Sequence, residues 1–242
     1  MSPRVVDVNC SVNTPDGFPD AMTAVESWLV HDRSRRQDPG ETDQLLLSAC
    51  RPLAPRLRAQ MVLLPPATDG HSLERARSAG HDEAACRTVR FCPGRFGHGY
   101  PLVDWVLSPL PELCEREDLV IAIDYLEGAV HPPWDEVVRF ARAYPRVPML
   151  LLGAAIDANP AAPAALDASA NLVYEISNVQ DPRALAALVD HFGSHRFVFG
   201  SGSTASWEQR VPAAVIDEPD RSAILSGTAD ALDSGAWGAT YL

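Results

Sequence analysis

Residues 119–152 read LVIAIDYLEGAVHPPWDEVVRFARAYPRVPMLLL. Two short aliphatic runs, Leu119–Ile123 and Pro148–Leu152, flank a segment with apolar residues at helical spacing, Trp134–Tyr144, which stops before Pro145. A continuous apolar run of this length suits a strand buried on both faces, as parallel strands are. Two such strands joined through a helix form a βαβ unit.

The same alternation extends in both directions. Downstream, Ala161–Ala168 reads as a helix and Leu172–Ile176 (LVYEI) as a strand. Asp181 caps a helix over Pro182–Phe192, with proline at its first position, and Arg196–Phe199 (RFVF) is a further strand. A last helix, Pro219–Leu225, precedes a Gly-rich tail. Upstream, Leu102–Glu117 reads as one helix, and Val5–Val8, Ser27–His31, Gln60–Leu64 and Thr88–Cys92 as strands. Helices are expected over Gln44–Cys50 and Ser72–Ala79, an exposed charged loop over Asp32–Gly40, and a short or missing helix in the Pro- and Gly-punctuated stretch Cys10–Glu26. Eight strands alternating with helices imply an α/β fold with a parallel sheet. Periodicity alone does not decide between a closed barrel and an open sheet.

Composition sets the outer limits. The 242 residues suit one domain spanning 1–242. A net charge of −12 argues against nucleic acid, whose phosphates need clustered Lys and Arg. No run of eighteen apolar residues is present, so no membrane span is expected. Met1-Ser2-Pro3-Arg4 leads directly into an apolar run with no signal-peptide pattern, so a cytoplasmic location is expected. Homo-oligomerisation is left open. Cys10, Cys50, Cys86, Cys92 and Cys114 are odd in number with no CxxC pair, which favours buried reduced thiols over disulfides or structural zinc.

The stretch Arg196-Phe-Val-Phe-Gly-Ser-Gly202 resembles the R-I-L-F-G-S-D signature of amidohydrolase-related barrels, the group of aminocarboxymuconate-semialdehyde decarboxylase. Other landmarks follow in order. Asp7-Val-Asn9-Cys-Ser11 stands where that family has D-x-H-x-H. Trp134 to Pro148 is similar to its W-x-x-L … Y-P-x-x-P passage. Asn171 to Ser177 is similar to N-L-Y-x-D-x-S, and Ile224 to Ala229 to I-L-G-x-N-A. The resemblance implies a (β/α)₈ TIM barrel whose active site lies at the C-terminal strand ends.

It also implies a divalent metal held by two first-strand His, a fifth-strand His and an eighth-strand Asp, with a sixth-strand His assisting. Here those positions hold Asn9, Ser11, Asp124, Gly202 and Gly153. Amide, hydroxyl and glycine do not make a zinc site. No catalytic metal and no other cofactor is therefore expected. A weaker alternative is a hard cation held by Asp7, Asp124 and Glu175.

The strand ends then supply the candidates. Asp124 is a possible general base, or a partner for Arg90. His98 lies in the unusual loop Arg90-Phe-Cys-Pro-Gly-Arg95-Phe-Gly-His98-Gly-Tyr100 and suits proton transfer near neutrality. His31, followed by Asp32, is a third catalytic candidate. Arg90, Arg95, Tyr100, Asn9, Ser11, Glu175 and Ser201 are candidates for binding a small polar or anionic molecule. Arginine suits a two-pronged grip on a carboxylate or phosphate; the other reading is a structured loop whose arginines pair with acids. Glu175 alternates with Tyr174 and Ile176, so it faces inward, with Arg90 as the expected partner. The reading that follows is a metal-independent hydrolase or decarboxylase/lyase; the alternative is a non-catalytic homologue that binds a ligand or a protein.

Overall fold

The computed structural model describes residues 3–12, 25–94, 97–125, 132–156, 159–202, 211 and 215–242. Eight strands run β1 Val6–Val12, β2 Glu26–His31, β3 Leu57–Val62, β4 Ala85–Phe91, β5 Val120–Asp124, β6 Met149–Leu152, β7 Leu172–Glu175 and β8 Phe197–Val198. They pair parallel in sequence order from β1 to β8. The ring closes nearly completely: Val8 N–H donates to the Phe199 carbonyl at 3.1 Å. Ser201 N–H donates to Asp7 Oδ1 at 2.9 Å, a second tie across the seam. The fold is the (β/α)₈ barrel that the landmarks implied.

Helices α1 Pro39–Cys50, α2 Ser72–Ala79, α3 Asp104–Leu107, α4 Leu110–Arg116, α5 Trp134–Ala143, α6 Ala161–Ala168 and α7 Pro182–Phe192 follow strands β2 to β7. Asp38 and Asp181 cap α1 and α7 with their carboxylates on Gly40 N–H and Arg183 N–H. Alternation along each strand sorts the core into two sets. Ile121 and Ile123 of β5 belong to the outer set, together with helix residues such as Val137 and Phe140. Val120 and Ala122 pack with Val8, Trp28, Leu150, Val173 and Val198 inside the barrel. Strand period two therefore also turns Gln60, Arg90, Asp124 and Glu175 inward.

Three expectations are corrected. Leu102–Glu117 is two helices, because Pro109 has no N–H to donate and Ser108 before it is extended at φ −59°, ψ 137°. The Gly-rich tail is helical: α8 Glu218–Ser222 runs through a π-helical turn, Ala223–Gly227, into α9 Thr228–Asp233, followed by α10 Ala236–Tyr241. Its Leu232 and Trp237 are buried against the inner set, which supplies what the glycines lack in propensity. The segment Asp32–Gly40 is not simply exposed, since Ser34 is buried and the Arg35 side chain only 15% accessible. The short first helix expected within Cys10–Glu26 falls on residues 13–24, outside the described residues. All five cysteines are buried and free. Among the described residues no helix is long and apolar enough to cross a membrane.

Candidate functional site at the barrel mouth

The polar ends of the strands converge on the Arg90 guanidinium. Arg90 comes from β4 and is fully buried. Its Nε donates to Gln60 Oε1 at 2.9 Å, and Nη2 donates to the same oxygen. Nη1 donates to Asp124 Oδ2 at 2.8 Å. Nη1 and Nη2 both reach Asn9 Oδ1, at 3.3 and 3.4 Å. A guanidinium has five N–H donors, and these contacts use all five. Burial works against the Arg90 charge and the Asp124 carboxylate supports it; the net shift of its pKa is downward.

Each acceptor is fixed from behind. Gln60 Nε2 donates to the Val8 carbonyl at 3.0 Å. Asn9 Nδ2 donates to Glu175 Oε2 at 2.8 Å. Asp124 Oδ2 also receives Arg35, with Nε at 3.0 Å and Nη2 at 2.9 Å. Arg35 Nη1 donates in turn to Asp32 Oδ1 at 2.9 Å. The β1–β2 register shifts between Asp7 and Cys10, a bulge that sets the direction of Asn9.

Glu175 is fully buried. It receives Asn9 Nδ2, Gly153 N–H at 3.0 Å, Ser177 Oγ at 2.8 Å and Ser177 N–H. Burial pushes its carboxyl above the usual range, and these donors pull the other way. Asn9 thus stands between Arg90 and Glu175, which the sequence reading had paired directly. Gly200 makes room for this carboxylate, since a Cβ there would lie 2.4 Å from Glu175 Oε1. Gly202 sits at φ +62°, and a Cβ would meet the Ser177 Cβ at 2.8 Å.

The remaining candidates lie around this network. His98 Nε2 lies 2.8 Å from the Ser34 carbonyl, next in sequence to Arg35, so Nε2 carries the proton and Nδ1 is the basic nitrogen. His31 Nδ1 accepts from Arg33 N–H at 3.1 Å. Burial lowers the pKa of both imidazoles. Tyr100 is buried, its hydroxyl donating to the Leu63 carbonyl and accepting from Cys92 N–H, each at 3.2 Å. Ser11 is exposed at the end of β1 and Ser201 is partly buried beside the seam. Asp7 accepts from Asn9 N–H and Ser201 N–H on Oδ1, and from the Cys10 thiol on Oδ2. Burial pushes that thiol up, away from the thiolate a nucleophile needs. Arg95 lies outside the described residues.

The structure therefore joins Asn9, Arg90, Asp124 and Glu175 in one network and leaves His31, Tyr100, Ser11 and Ser201 outside it. Sequence reasoning missed Arg35 and Gln60. Arg35 has two N–H donors beyond its bonds to Asp32 and Asp124 and remains partly accessible, so it can grip an anion where Arg90 has no donor left. Its signal was a position four residues beyond the end of β2, at the barrel mouth. The signal for Gln60 was a polar side chain of inward parity in an apolar strand. Among the described residues, no group of three or more His, Cys, Asp and Glu is placed to hold a metal ion.

No family model matches the chain, and no curated protein matches it in sequence. Solved structures do share its fold. The 5-carboxyvanillate decarboxylase LigW from Sphingomonas paucimobilis superposes with a TM-score of 0.69 at 11% identity, over 96% of this chain and 99% of that one. A 2,6-dihydroxybenzoate decarboxylase from Rhizobium gives 0.66 at 14%, over 96% and 99%. A putative 2-pyrone-4,6-dicarboxylic acid hydrolase from Pseudomonas putida gives 0.65 at 17%, over 97% and 99%. At these identities, what the likeness establishes is a shared (β/α)₈ barrel fold running nearly the full length of both chains.

Proposed function

We propose that this barrel is a hydrolase or decarboxylase acting on a small carboxylated molecule, and that its chemistry runs on protons without a metal at the strand ends. The observation that carries this reading is the guanidinium network. Asn9 and Asp124 stand at positions that the resemblance assigns to metal ligands, and both spend oxygens on Arg90. A divalent ion would need these oxygens at about 2.0–2.6 Å and would sit beside a fixed positive charge. Gly202 and Gly153 bring no side chain, and the crowding at Gly202 leaves no room for one. This donor set does not suit a metal.

In this reading Arg35 holds a substrate carboxylate through its two remaining N–H groups, with Arg95 as a further candidate from the neighbouring loop. His98 Nδ1 takes or returns a proton beside it. Asp124 anchors both guanidinium groups and is the second proton-transfer candidate. The names of the superposed structures point to aromatic and pyrone carboxylates as the first compounds to try. One observation favours the other reading, a binding module: the charged side chains at the centre of the mouth are largely bonded to one another.

The test is a panel of hydroxybenzoates, vanillate-type acids and pyrone dicarboxylates, followed by calorimetry and by product analysis. Turnover that falls at least about 100-fold in His98→Asn while binding persists supports the enzyme. Binding lost about tenfold or more in Arg35→Met, with no turnover in either protein, supports the binding module. Binding unaffected by Arg35→Met refutes the assigned anion grip.

A further inference from the structure

The Arg90 site has the construction of a coordination sphere. Three oxygens, from an amide on β3, an amide on β1 and a carboxylate on β5, surround one planar cation inside the barrel. A second bond holds each oxygen in place: Gln60 on the Val8 carbonyl, Asn9 on Glu175, Asp124 on Arg35. The acceptors number three and the N–H donors five, a match to the fork of a guanidinium and not to a spherical ion. Nothing is left over on the cation for a ligand, and the side chain is fully buried.

We propose that the barrel mouth is a guanidinium site which the chain fills with its own residue, Arg90, as a covalently attached resident cation. Its role is positioning. It holds Asn9 so that the amide donates to Glu175, and it draws the Asp124 carboxylate to the point where Arg35 is also held. The inference rests on the metal-free reading above but asks more: the site should prefer a planar, delocalised cation over any metal.

Arg90→Ala vacates the site and leaves Gln60, Asn9 and Asp124 around a cavity. Guanidinium chloride at millimolar, non-denaturing concentration should then raise the melting temperature of the variant by about 3–6 °C at ten times its Kd. It should leave the parent protein unmoved, and urea, the neutral isostere, should have no such effect. Equal response of variant and parent, or equal action of urea, overturns the proposal. Stabilisation of the variant by zinc or magnesium chloride instead of guanidinium also overturns it, while a parent protein shown free of metal keeps the functional reading intact. If the variant does not fold, nitrogen-15 spectra of the arginine side chains in the parent decide. Arg90 Nη protons that are separately resolved, slow to exchange and close to the Asn9 and Gln60 amides support the site. A single averaged Nη signal refutes it.

Discussion

Arg90→Met removes the cation and keeps an apolar stem of similar length in the barrel. The side chain is fully buried, so little of the loss is shielded by water. Removing one partner of a buried pair costs about 3–5 kcal/mol when the other charge is stranded. Asp124 is not stranded, because Arg35 still donates to Oδ2 at 2.9–3.0 Å, which draws the charge cost toward the lower bound. Against this, Asn9 Oδ1 and Gln60 Oε1 lose their donors inside the barrel, at about 1–3 kcal/mol each, partly offset by the better desolvation of methionine. The balance is a loss of about 4 kcal/mol, or a melting temperature lower by about 8–16 °C for a chain of this size. Thermal and urea unfolding of both proteins measure it. Arg4→Met is the internal control. Arg4 also bonds two carboxylates, Glu26 and Asp230, but its side chain is 49% exposed, and surface pairs contribute no more than about 1 kcal/mol. If Arg90→Met costs no more than Arg4→Met, the network is not what organises the mouth. A double-mutant cycle with Asp124→Asn should show coupling above about 1 kcal/mol.

Further outcomes follow from single contacts. Asp43 of α1 is fully buried, and its Oδ2 accepts from Val62 N–H at 2.8 Å. Burial pushes its carboxyl up to about 7, against the opposing pull of Ser34, the Val62 N–H and the Arg75 charge. Because the folded chain holds this proton more tightly than the unfolded one, the contribution is fully present below pH ~4 and is lost as pH rises through about 7, up to about 4 kcal/mol. Urea titrations at several pH values should show Asp43→Asn escaping that loss, and identical pH profiles would refute it. Gly200→Ala drives a methyl into Glu175 Oε1 and should cost about 1–3 kcal/mol; an unchanged urea midpoint would mean that Glu175 moves aside freely. Asn171 Nδ2 donates to the Ala141, Tyr144 and Val147 carbonyls at 2.8–3.0 Å, holding the end of α5. Asn171→Leu should cost about 1–3 kcal/mol, read as a drop in melting temperature, and no drop would contradict that role.

The fold was legible because parallel strands buried on both faces appear as bare apolar runs such as LVIAI and PMLLL, separated by amphipathic helices. Closure was not legible in the same way: the Val8–Phe199 contact joins residues at opposite ends of the chain, and only the ordered landmarks implied it. Helix patterning ran straight through Pro109, although the missing N–H ends the helix there. Glycines 227, 235 and 238 hid the final helices, whose order comes from burying Leu232 and Trp237. For the site, strand parity told that Glu175 faces inward but not which neighbour around the ring it meets, and Asn9 intervened. Arg35 was lost in a charge run that reads as a solvated loop until the turn after β2 folds it back onto Asp124.

In the proposed reading an internal guanidinium, in place of a bound metal, organises the barrel mouth. Elemental analysis of the purified parent protein, before and after dialysis against excess zinc, tests it most directly. Metal well below one equivalent per chain is expected in both samples, with no change in melting temperature. One tightly held zinc per chain, with a rise in stability, would contradict it.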